Sequence, residues 1–333
     1  MTSHASANEF EPASHPLGTL TALDTADGSL SLHSSHFSEA FHSSAGALAE
    51  AKAKFVAPAQ LERFQSETPL RVLDVCVGLG YNSAALMEAL PLDAPPQLQW
   101  WGLELDLRPL ALALGHQGFK AQWSAPVLAR LEALRDHSYW EAEDGSYGRM
   151  LWGDARQQLQ QLPRELELDL ILMDAFSPSH CPELWSEEFL EGLGQRLAPG
   201  GRLLTYSRAA SIRGSLQRAG LELRSLLAAP GQRKEWSSGT MAHRLIPGHE
   251  LAASGPGWQP LSTMEIEHLH TRAAVPPIGI LRAEIPQPRF SNAAAMSNSI
   301  ASSKAPANGN DVGFRRHDDI STASTFPKNA QHA

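Results

Sequence analysis

The stretch Leu168-Asp169-Leu170-Ile171-Leu172-Met173-Asp174-Ala175-Phe176-Ser177-Pro178 decides the fold class of this 333-residue chain. Its apolar residues follow one another without the alternation that marks a strand with one face in water, which is typical of a strand buried on both faces of a parallel sheet. Ligands of open parallel sheets bind beyond the carboxyl ends of the strands. We therefore expect Asp174 and Phe176 to lie at a functional edge.

Similar apolar runs alternate with helical patterns and predict a doubly wound α/β sheet. Strands are predicted at 71–77, 98–104, 149–152, 168–173 and 202–206, helices at 82–90, 106–114, 183–197 and 209–219, and closing strands at 221–227 and 241–246. Pro199-Gly200-Gly201 is expected to act as a stop before the strand at 202–206. A long insertion, 117–146, is expected to place a helix, 126–134, over the site.

The segments on either side of this core, 67–248, carry weaker patterns. Asp27-Gly28 predicts the turn of a small hairpin in an extension, 18–66, whose helices Pro58 interrupts. Ser262 and Glu265 form a capping box that opens a short helix in a second extension, 249–276. Residues 1–17 and 277–333 lack periodicity, and we expect both to be disordered.

The composition excludes several classes of protein. The two cysteines, Cys76 and Cys181, form no disulfide framework, and with His180 they lack the spacing of a metal site. No uncharged apolar run reaches membrane-spanning length and no signal peptide is visible, so we expect a cytoplasmic protein without membrane or metal partners. The net charge of −9 argues against a general polyanion binder, but 202–244 carries eight basic and two acidic residues, a local +6.

Acidic residues end three successive predicted strands. Asp74 precedes the turn Gly78-Leu79-Gly80, at which the backbone can approach a ligand closely. Glu104 ends the second strand, 26 residues after Gly78, where an acid can accept both hydroxyls of a ribose. Asp154 ends the third strand, where a carboxylate can accept from an adenine amino group. Each places a charge beside apolar sheet and needs a partner, which points to a nucleotide site.

The glycine turn indicates the kind of nucleotide. A dinucleotide site has a third glycine that packs the helix and seats a pyrophosphate, and here Tyr81-Asn82-Ser83 follows Gly80 without one. S-adenosylmethionine, which carries no phosphate, fits better. Asn82 and Ala155, which follow the first and third strands, complete the predicted cofactor site. The predicted fold is therefore a Rossmann-like class I methyltransferase sheet with an amino-terminal hairpin and helix extension.

Several motifs resemble the methyltransferase half of the MnmC family, whose bifunctional members finish the aminomethyl modification of the tRNA wobble uridine. The resemblance covers about 20–244, and the similar segments are 37–56, Asp174-Ala-Phe-Ser-Pro178 with Pro182-Glu183-Leu184-Trp185, 199–207, 212–220 and Gly231-Gln-Arg233-Lys234-Glu235. It implies an S-adenosylmethionine-dependent N-methyltransferase that acts on tRNA. The family's flavin oxidase half has no counterpart, which implies a stand-alone enzyme and a separate oxidase that supplies its substrate.

The chain departs from the family pattern at three places. Cys76 stands where the family has the first glycine of its cofactor loop, and Ala175 replaces another glycine. Ser179-His180-Cys181 replaces a segment that contains a lysine, so one cation is lost beside the expected substrate.

The resemblance also implies roles for single residues. Asp174 is expected to orient the substrate amine and to help its proton leave, and Phe176 to stack the splayed-out uracil on a loop that Pro178 stiffens. Glu50 is assigned to the substrate by resemblance alone. The expected contacts with phosphates of the anticodon stem-loop are Arg208, Arg233 and Lys234, and Arg213 either joins them or pairs with an acid.

Two other functions stay open at this point. The same fold and cofactor could serve a small amine, as in aminopropyl transferases and small-molecule methyltransferases, and the charge of −9 and the lost loop lysine favour that reading. A catalytically silent RNA-binding protein would make the three strand-end acids dispensable.

Overall fold

The computed structural model describes residues 15–64, 67–228 and 239–271. Its strands are β1 (Leu20–Asp24), β2 (Leu30–Ser34), β3 (Glu39–Ala40), β4 (Leu70–Val75), β5 (Leu98–Glu104), β6 (Tyr139–Glu141), β7 (Tyr147–Trp152), β8 (Leu168–Met173), β9 (Leu197–Thr205), β10 (Glu222–Leu226), β11 (Gly239–His243) and β12 (Trp258–Gln259). Its α-helices are α1 (Ala47–Glu50), α2 (Tyr81–Glu88), α3 (Arg108–Gly115), α4 (Gln117–Lys120), α5 (Ala125–His137), α6 (Ala155–Gln158), α7 (Glu187–Gln195), α8 (Ala210–Arg218) and α9 (Thr263–Leu269).

Nine of these strands form one sheet, in the order β12-β10-β11-β9-β8-β4-β5-β7-β6. The five strands from β9 to β7 are parallel, and the strands outside them pair antiparallel. From the central β4 the chain reaches β5 on one side and later β8 on the other, so the carboxyl ends of β4 and β8 border a topological switch point. The structure confirms the predicted doubly wound α/β sheet.

Strand β8 shows why an apolar run without alternation indicates a central strand. Leu170 and Leu172 belong to the hydrophobic core on one face of the sheet, and Ile171 and Met173 to the core on the other face. All four side chains are fully buried. Because both faces are covered, every position needs an apolar residue.

The amino-terminal extension forms a separate three-stranded sheet, β1-β2-β3. The predicted hairpin is present, and the carboxylate of Asp27 in its turn accepts from the backbone N–H groups of Ser29 and Ala49, which ties the hairpin to α1. Helix α1 continues as a π-helical segment, Ala51–Val56, and then as 3₁₀ turns on either side of Gln60, two residues after Pro58.

Three expectations from the sequence were wrong. Leu17, expected to be disordered, is buried against the core, although 1–14 lie outside the described residues. Strand β9 includes Pro199-Gly200-Gly201 instead of starting after it, because a register shift against β8 accommodates the extra residues. Helix α5 packs against α2 and α3 and contributes no residue to the cavity described below.

Two further elements qualify the prediction. Strand β6, which was not predicted, pairs with β7 as an edge hairpin. The capping box of Ser262 and Glu265 opens α9 as expected, whereas the tail, 277–333, lies outside the described residues. Within the described ranges, every helix is too short or too polar to cross a bilayer.

Candidate active site

A cavity of about 370 Å³ lies at the carboxyl edge of the parallel strands, a volume typical of small-molecule sites. One side of it is built by the loops that follow β4, β5, β7, β8 and β9. The other side is built by the amino-terminal extension, from Leu17 to Lys54. The sequence predicted the first side, because strand ends meet at one sheet edge, but it predicted little of the second.

Four of the predicted cofactor residues line this cavity: Gly78, Glu104, Asp154 and Ala155. Glu104 accepts from the backbone N–H of Gly78 through Oε2 and from that of Asp106 through Oε1, both at 2.8 Å. The carboxylate thus fixes the glycine turn against the end of β5, and each oxygen keeps a lone pair for another donor. Burial raises the pKa of Glu104 to about 7.

Asp154 serves the fold as well as the cavity. It caps the start of α6 by accepting from the N–H of Arg156, and it pairs with that arginine's guanidinium at 2.5 Å. Its side chain is 4% exposed, so a ligand would reach it only from inside the cavity.

The other three predicted cofactor residues, Asp74, Gly80 and Asn82, lie behind the cavity wall. Asp74 is fully buried and accepts from the Ser83 hydroxyl, and burial raises its pKa to about 7. Gly80 has φ +90°, and a Cβ there would stand 3.1 Å from Leu110 Cδ1. Asn82 donates to Asp174. Their contacts shape the glycine turn and the start of the loop Asp174–Pro178 rather than the cavity surface.

Cys76, which stands where the family pattern has a glycine, adopts a left-handed backbone conformation. Its φ is +67°, in the left-handed region that disfavours a residue with a Cβ. The sequence departure at this position therefore shows up as local backbone strain beside the cofactor turn.

The loop Asp174–Pro178 is held at consecutive residues. The Asp174 carboxylate accepts from Asn82 Nδ2 at 2.7 Å, and the Ala175 carbonyl accepts from Tyr206 Oη at 2.9 Å. Three further bonds fix the next two residues: Trp185 Nε1 donates to the Phe176 carbonyl, and the Ser177 backbone N–H and hydroxyl donate to Glu39. A carboxylate held in this way is pre-organised for chemistry.

Asp174 itself is half-buried and lines the cavity. Burial raises its pKa to about 6, against the opposing influences of the Asn82 hydrogen bond and the positive charge of Lys54.

Phe176 belongs to an aromatic cluster that also contains Phe37 and Phe41. Its ring stacks on Phe37 with centroids 4.5 Å apart and meets Phe41 edge-on at 4.8 Å. All three rings line the cavity, whereas Pro178 does not. The aromatic part of the cavity wall is therefore shared between the loop Asp174–Pro178 and the amino-terminal extension.

Glu50 and Lys54 form a buried ion pair in the cavity wall, with Lys54 Nζ 3.0 Å from Glu50 Oε1. The Ser43 hydroxyl donates to the same oxygen at 2.5 Å, and Lys54 Nζ lies 5.9 Å from the centroid of the Tyr206 ring. Glu50 was predicted from the sequence as a substrate residue, whereas Lys54 was not. Their spacing of four residues in a helical segment was the available signal.

The basic segment 202–244 is less available to a ligand than its charge of +6 suggested. Arg213 is buried and pairs with Glu265 at 2.7 Å, which resolves its predicted alternatives in favour of the ion pair. Arg218 pairs with Glu187, whose negative charge is not part of the +6 of residues 202–244 because Glu187 lies outside that segment. Arg202 is buried against Pro58 and Gln60. Arg208 is exposed and does not line the cavity, and Arg233 and Lys234 lie outside the described residues.

Neither cysteine is placed as a nucleophile. Cys76 and Cys181 are both free thiols at the cavity, and burial raises the pKa of each. Among the residues that the structure describes, no cluster of three or more His, Cys, Asp or Glu is arranged to hold a metal ion.

Comparison with known proteins identifies related sequences. Residues 120–242 match the sequence model of a family described as S-adenosyl-L-methionine-dependent methyltransferase. The tRNA 5-methylaminomethyl-2-thiouridine biosynthesis bifunctional protein MnmC of Azoarcus sp. is 32% identical over 216 residues, which are 61% of this chain and 33% of that protein. An uncharacterized protein of Methanocaldococcus jannaschii is 28% identical over 194 residues, 58% of this chain and 52% of its own. The chain thus spans about a third of the length of MnmC.

Two solved structures are similar to this chain, and one of them is an MnmC-type protein. The crystal structure of MnmC2 from Aquifex aeolicus superposes with a TM-score of 0.61 at 26% identity and covers 77% of each chain. A probable spermidine synthase from Corynebacterium glutamicum has a TM-score of 0.50 at 13% identity, covering 85% of this chain and all of that one. The second likeness shows the fold alone.

Proposed function

We propose that this chain, an S-adenosyl-L-methionine-dependent methyltransferase related to MnmC, methylates the aminomethyl nitrogen of a modified wobble uridine in tRNA. The observation that carries the proposal is that one cavity brings together Asp174, the strand-end acids Glu104 and Asp154 and the Phe176 ring. A cavity that combines a nucleoside-type site, an acid and an aromatic ring suits an amine attached to a base.

The residues of the cavity fit the cofactor. Glu104 offers acceptor oxygens to ribose hydroxyls, and Asp154 and the start of α6 suit the adenine. Of the lining residues in the described ranges, Lys54 is the only lysine or arginine, and its charge is paired with Glu50. An acid-lined cavity of this kind favours a cationic cofactor without phosphate. When bound, S-adenosylmethionine supplies an electrophilic methyl group on a positively charged sulfur.

Asp174 would act on the substrate nitrogen. An alkylamine has a pKa near that of lysine, about 10.4, so it is mostly protonated at neutral pH and lacks the free lone pair that attacks. With its own pKa at about 6, Asp174 is ionised there and can accept an N–H and then the proton.

Positioning supplies most of the expected acceleration, because nitrogen, methyl carbon and sulfur must lie in line. The pinned loop Asp174–Pro178 holds the carboxylate, and the rings of Phe37, Phe41 and Phe176 offer a stacking site for a flipped-out uracil. Arg208, Arg233 and Lys234 are proposed to contact phosphates of the anticodon stem-loop.

The proposal includes partners and a location. A primary aminomethyl group must be formed before it can be methylated, and we assign that step to a separate flavin oxidase. The enzyme would work in the cytoplasm, where its tRNA substrate is.

The test is methyl transfer from labelled S-adenosylmethionine to tRNA that bears aminomethyl-uridine, followed by digestion and mass spectrometry of the nucleosides. We expect that nucleoside to gain one methyl group, and Asp174→Asn to abolish the gain. If no transfer occurs although calorimetry confirms cofactor binding, the tRNA substrate is wrong and a small amine becomes the better acceptor.

A further inference from the structure

Asn82 lies behind the cavity wall, yet its side chain bonds the carboxylate on which the proposed reaction depends. Its Nδ2 donates a hydrogen bond of 2.7 Å to Asp174 Oδ2, while Asn82 itself is 7% exposed and does not line the cavity. Asn82 stands in the first turn of α2, directly after the glycine turn, and Asp174 directly follows β8. The bond therefore joins the elements on both sides of the switch point.

We infer that Asn82 is a positioning residue that holds Oδ2 of Asp174 and leaves Oδ1 to receive the substrate N–H. This inference rests on the proposed function, because it assigns one atom of Asp174 to the amine. An amide suits this task because it is neutral across the working pH range: it can donate to a carboxylate without competing for the substrate's proton.

The remaining contacts of Asp174 fix its backbone and leave the carboxylate to Asn82. The Asp174 N–H donates to the Val75 carbonyl at 3.1 Å, and the carbonyl of the next residue accepts from Tyr206. Across the described ranges, the Asn82 amide is the one side-chain donor bonded to this carboxylate. Removing it frees rotation of the carboxylate about the Cβ–Cγ bond.

Titratable groups face Asp174 from several other elements: Glu50 from the end of α1, Lys54 from the π-helical segment, Asp74 from β4, Cys76 directly after β4 and Tyr206 after β9. Burial raises the pKa of Asp174, the Asn82 bond and then Lys54 lower it, and Glu50 raises it. Because the Asn82 bond stabilises the ionised form, its loss raises the pKa of Asp174. The acid limb of the rate profile then moves to higher pH.

The test compares Asn82→Ala with Ser83→Ala in the full chain. Ser83 is the next residue of the same helix turn, and its hydroxyl donates to Asp74, which does not line the cavity. For Asn82→Ala we expect S-adenosylhomocysteine affinity within about twofold of wild type, kcat on tRNA reduced at least about tenfold, and an acid limb raised by about 1 pH unit. Ser83→Ala is expected to leave the acid limb in place.

Two results would overturn the inference. A loss of cofactor affinity of about tenfold or more with an unmoved acid limb would make Asn82 a cofactor ligand. The pKa of Asp174 can also be measured directly by carboxyl-carbon NMR in wild type and in Asn82→Ala. If the two values are the same, the inference is wrong, whatever the turnover of the variant. If wild type fails to methylate tRNA but Asn82→Ala still raises that pKa, the proposed substrate is wrong and the role of Asn82 stands.

Discussion

Asp174 carries the proposed chemistry, and replacing it by asparagine separates chemistry from binding. The amide keeps the shape of the side chain and can still accept from Asn82, but it lacks the charge that attracts the amine and takes its proton. We expect Asp174→Asn to lower the single-turnover rate at least about a hundredfold and to change the cofactor Kd less than about threefold. Asp169→Asn, in strand β8 just before Asp174 but with its carboxylate bonded to the Arg71 backbone N–H, is the control and should keep the rate. A rate retained by Asp174→Asn would mean that the proton leaves directly to water.

Cys76 lowers the stability of the folded chain at a position where the family pattern has glycine. Its φ of +67° burdens the folded state with strain of about 1–2 kcal/mol for a residue with a Cβ. Glycine removes the strain but makes the unfolded chain more flexible, so we expect Cys76→Gly to stabilise the protein by a net of about 0.5–1 kcal/mol in urea unfolding. Cys76→Ala keeps the Cβ and removes the thiol. Equal stabilisation by both variants would show that the destabilisation comes from the Cys76 thiol and not from the backbone conformation.

The elements that the sequence predicted most closely are those whose surroundings are uniform. Strands β5 and β8 have the predicted bounds, Leu98–Glu104 and Leu168–Met173, because both faces of each strand are covered and every position but the second in each is buried. The positions of Glu104 at the end of β5 and of Asp174 after β8 could then be predicted, since the carboxyl ends of parallel strands lie at one edge of the sheet. Local patterns could not reveal the register shift that admits Pro199 into β9.

The second wall of the cavity depends on contacts between distant parts of the chain. Glu39 accepts from Ser177, 138 residues away, and this bond brings the amino-terminal extension against the catalytic loop. Such a contact has no periodic signature. Lys54 was missed for a different reason: its four-residue spacing from Glu50 resembles that of an ordinary surface pair until the fold buries both side chains.

Helix α8 carries one buried and one exposed arginine, so the contribution of each to the stability of the fold can be compared within one helix. Arg213 bonds Thr240, Ser225, the Gly239 carbonyl and Glu265, and so links α8 to β10, β11 and α9. Arg218, in the next turn or so of the same helix, pairs with Glu187 in solvent. We expect Arg213→Ala to cost about 3–5 kcal/mol in urea unfolding, and Arg218→Ala less than about 1 kcal/mol. Similar losses for both variants would show that the buried network is not what stabilises this end of the sheet.

The distribution of charge over the whole chain constrains how it would bind RNA. The net charge is −9, and much of the basic segment is consumed by the fold, as the buried Arg202 and Arg213 show. Long-range attraction of a polyanion is therefore weak. If the substrate is tRNA, its recognition would depend on few phosphate contacts and on the fit of one flipped base in the cavity.

A small number of phosphate contacts predicts a shallow dependence of tRNA affinity on salt. If Arg208, Arg233 and Lys234 make those contacts, replacing all three with glutamine should reduce the slope of log K against log salt by roughly 2–3, at about 0.7–0.9 per cation. Arg218→Gln removes one positive charge that is already paired with Glu187, so it should leave the slope unchanged. The slopes can be measured by fluorescence anisotropy with a labelled anticodon stem-loop. A triple variant with the wild-type slope would place the RNA on another face of the molecule.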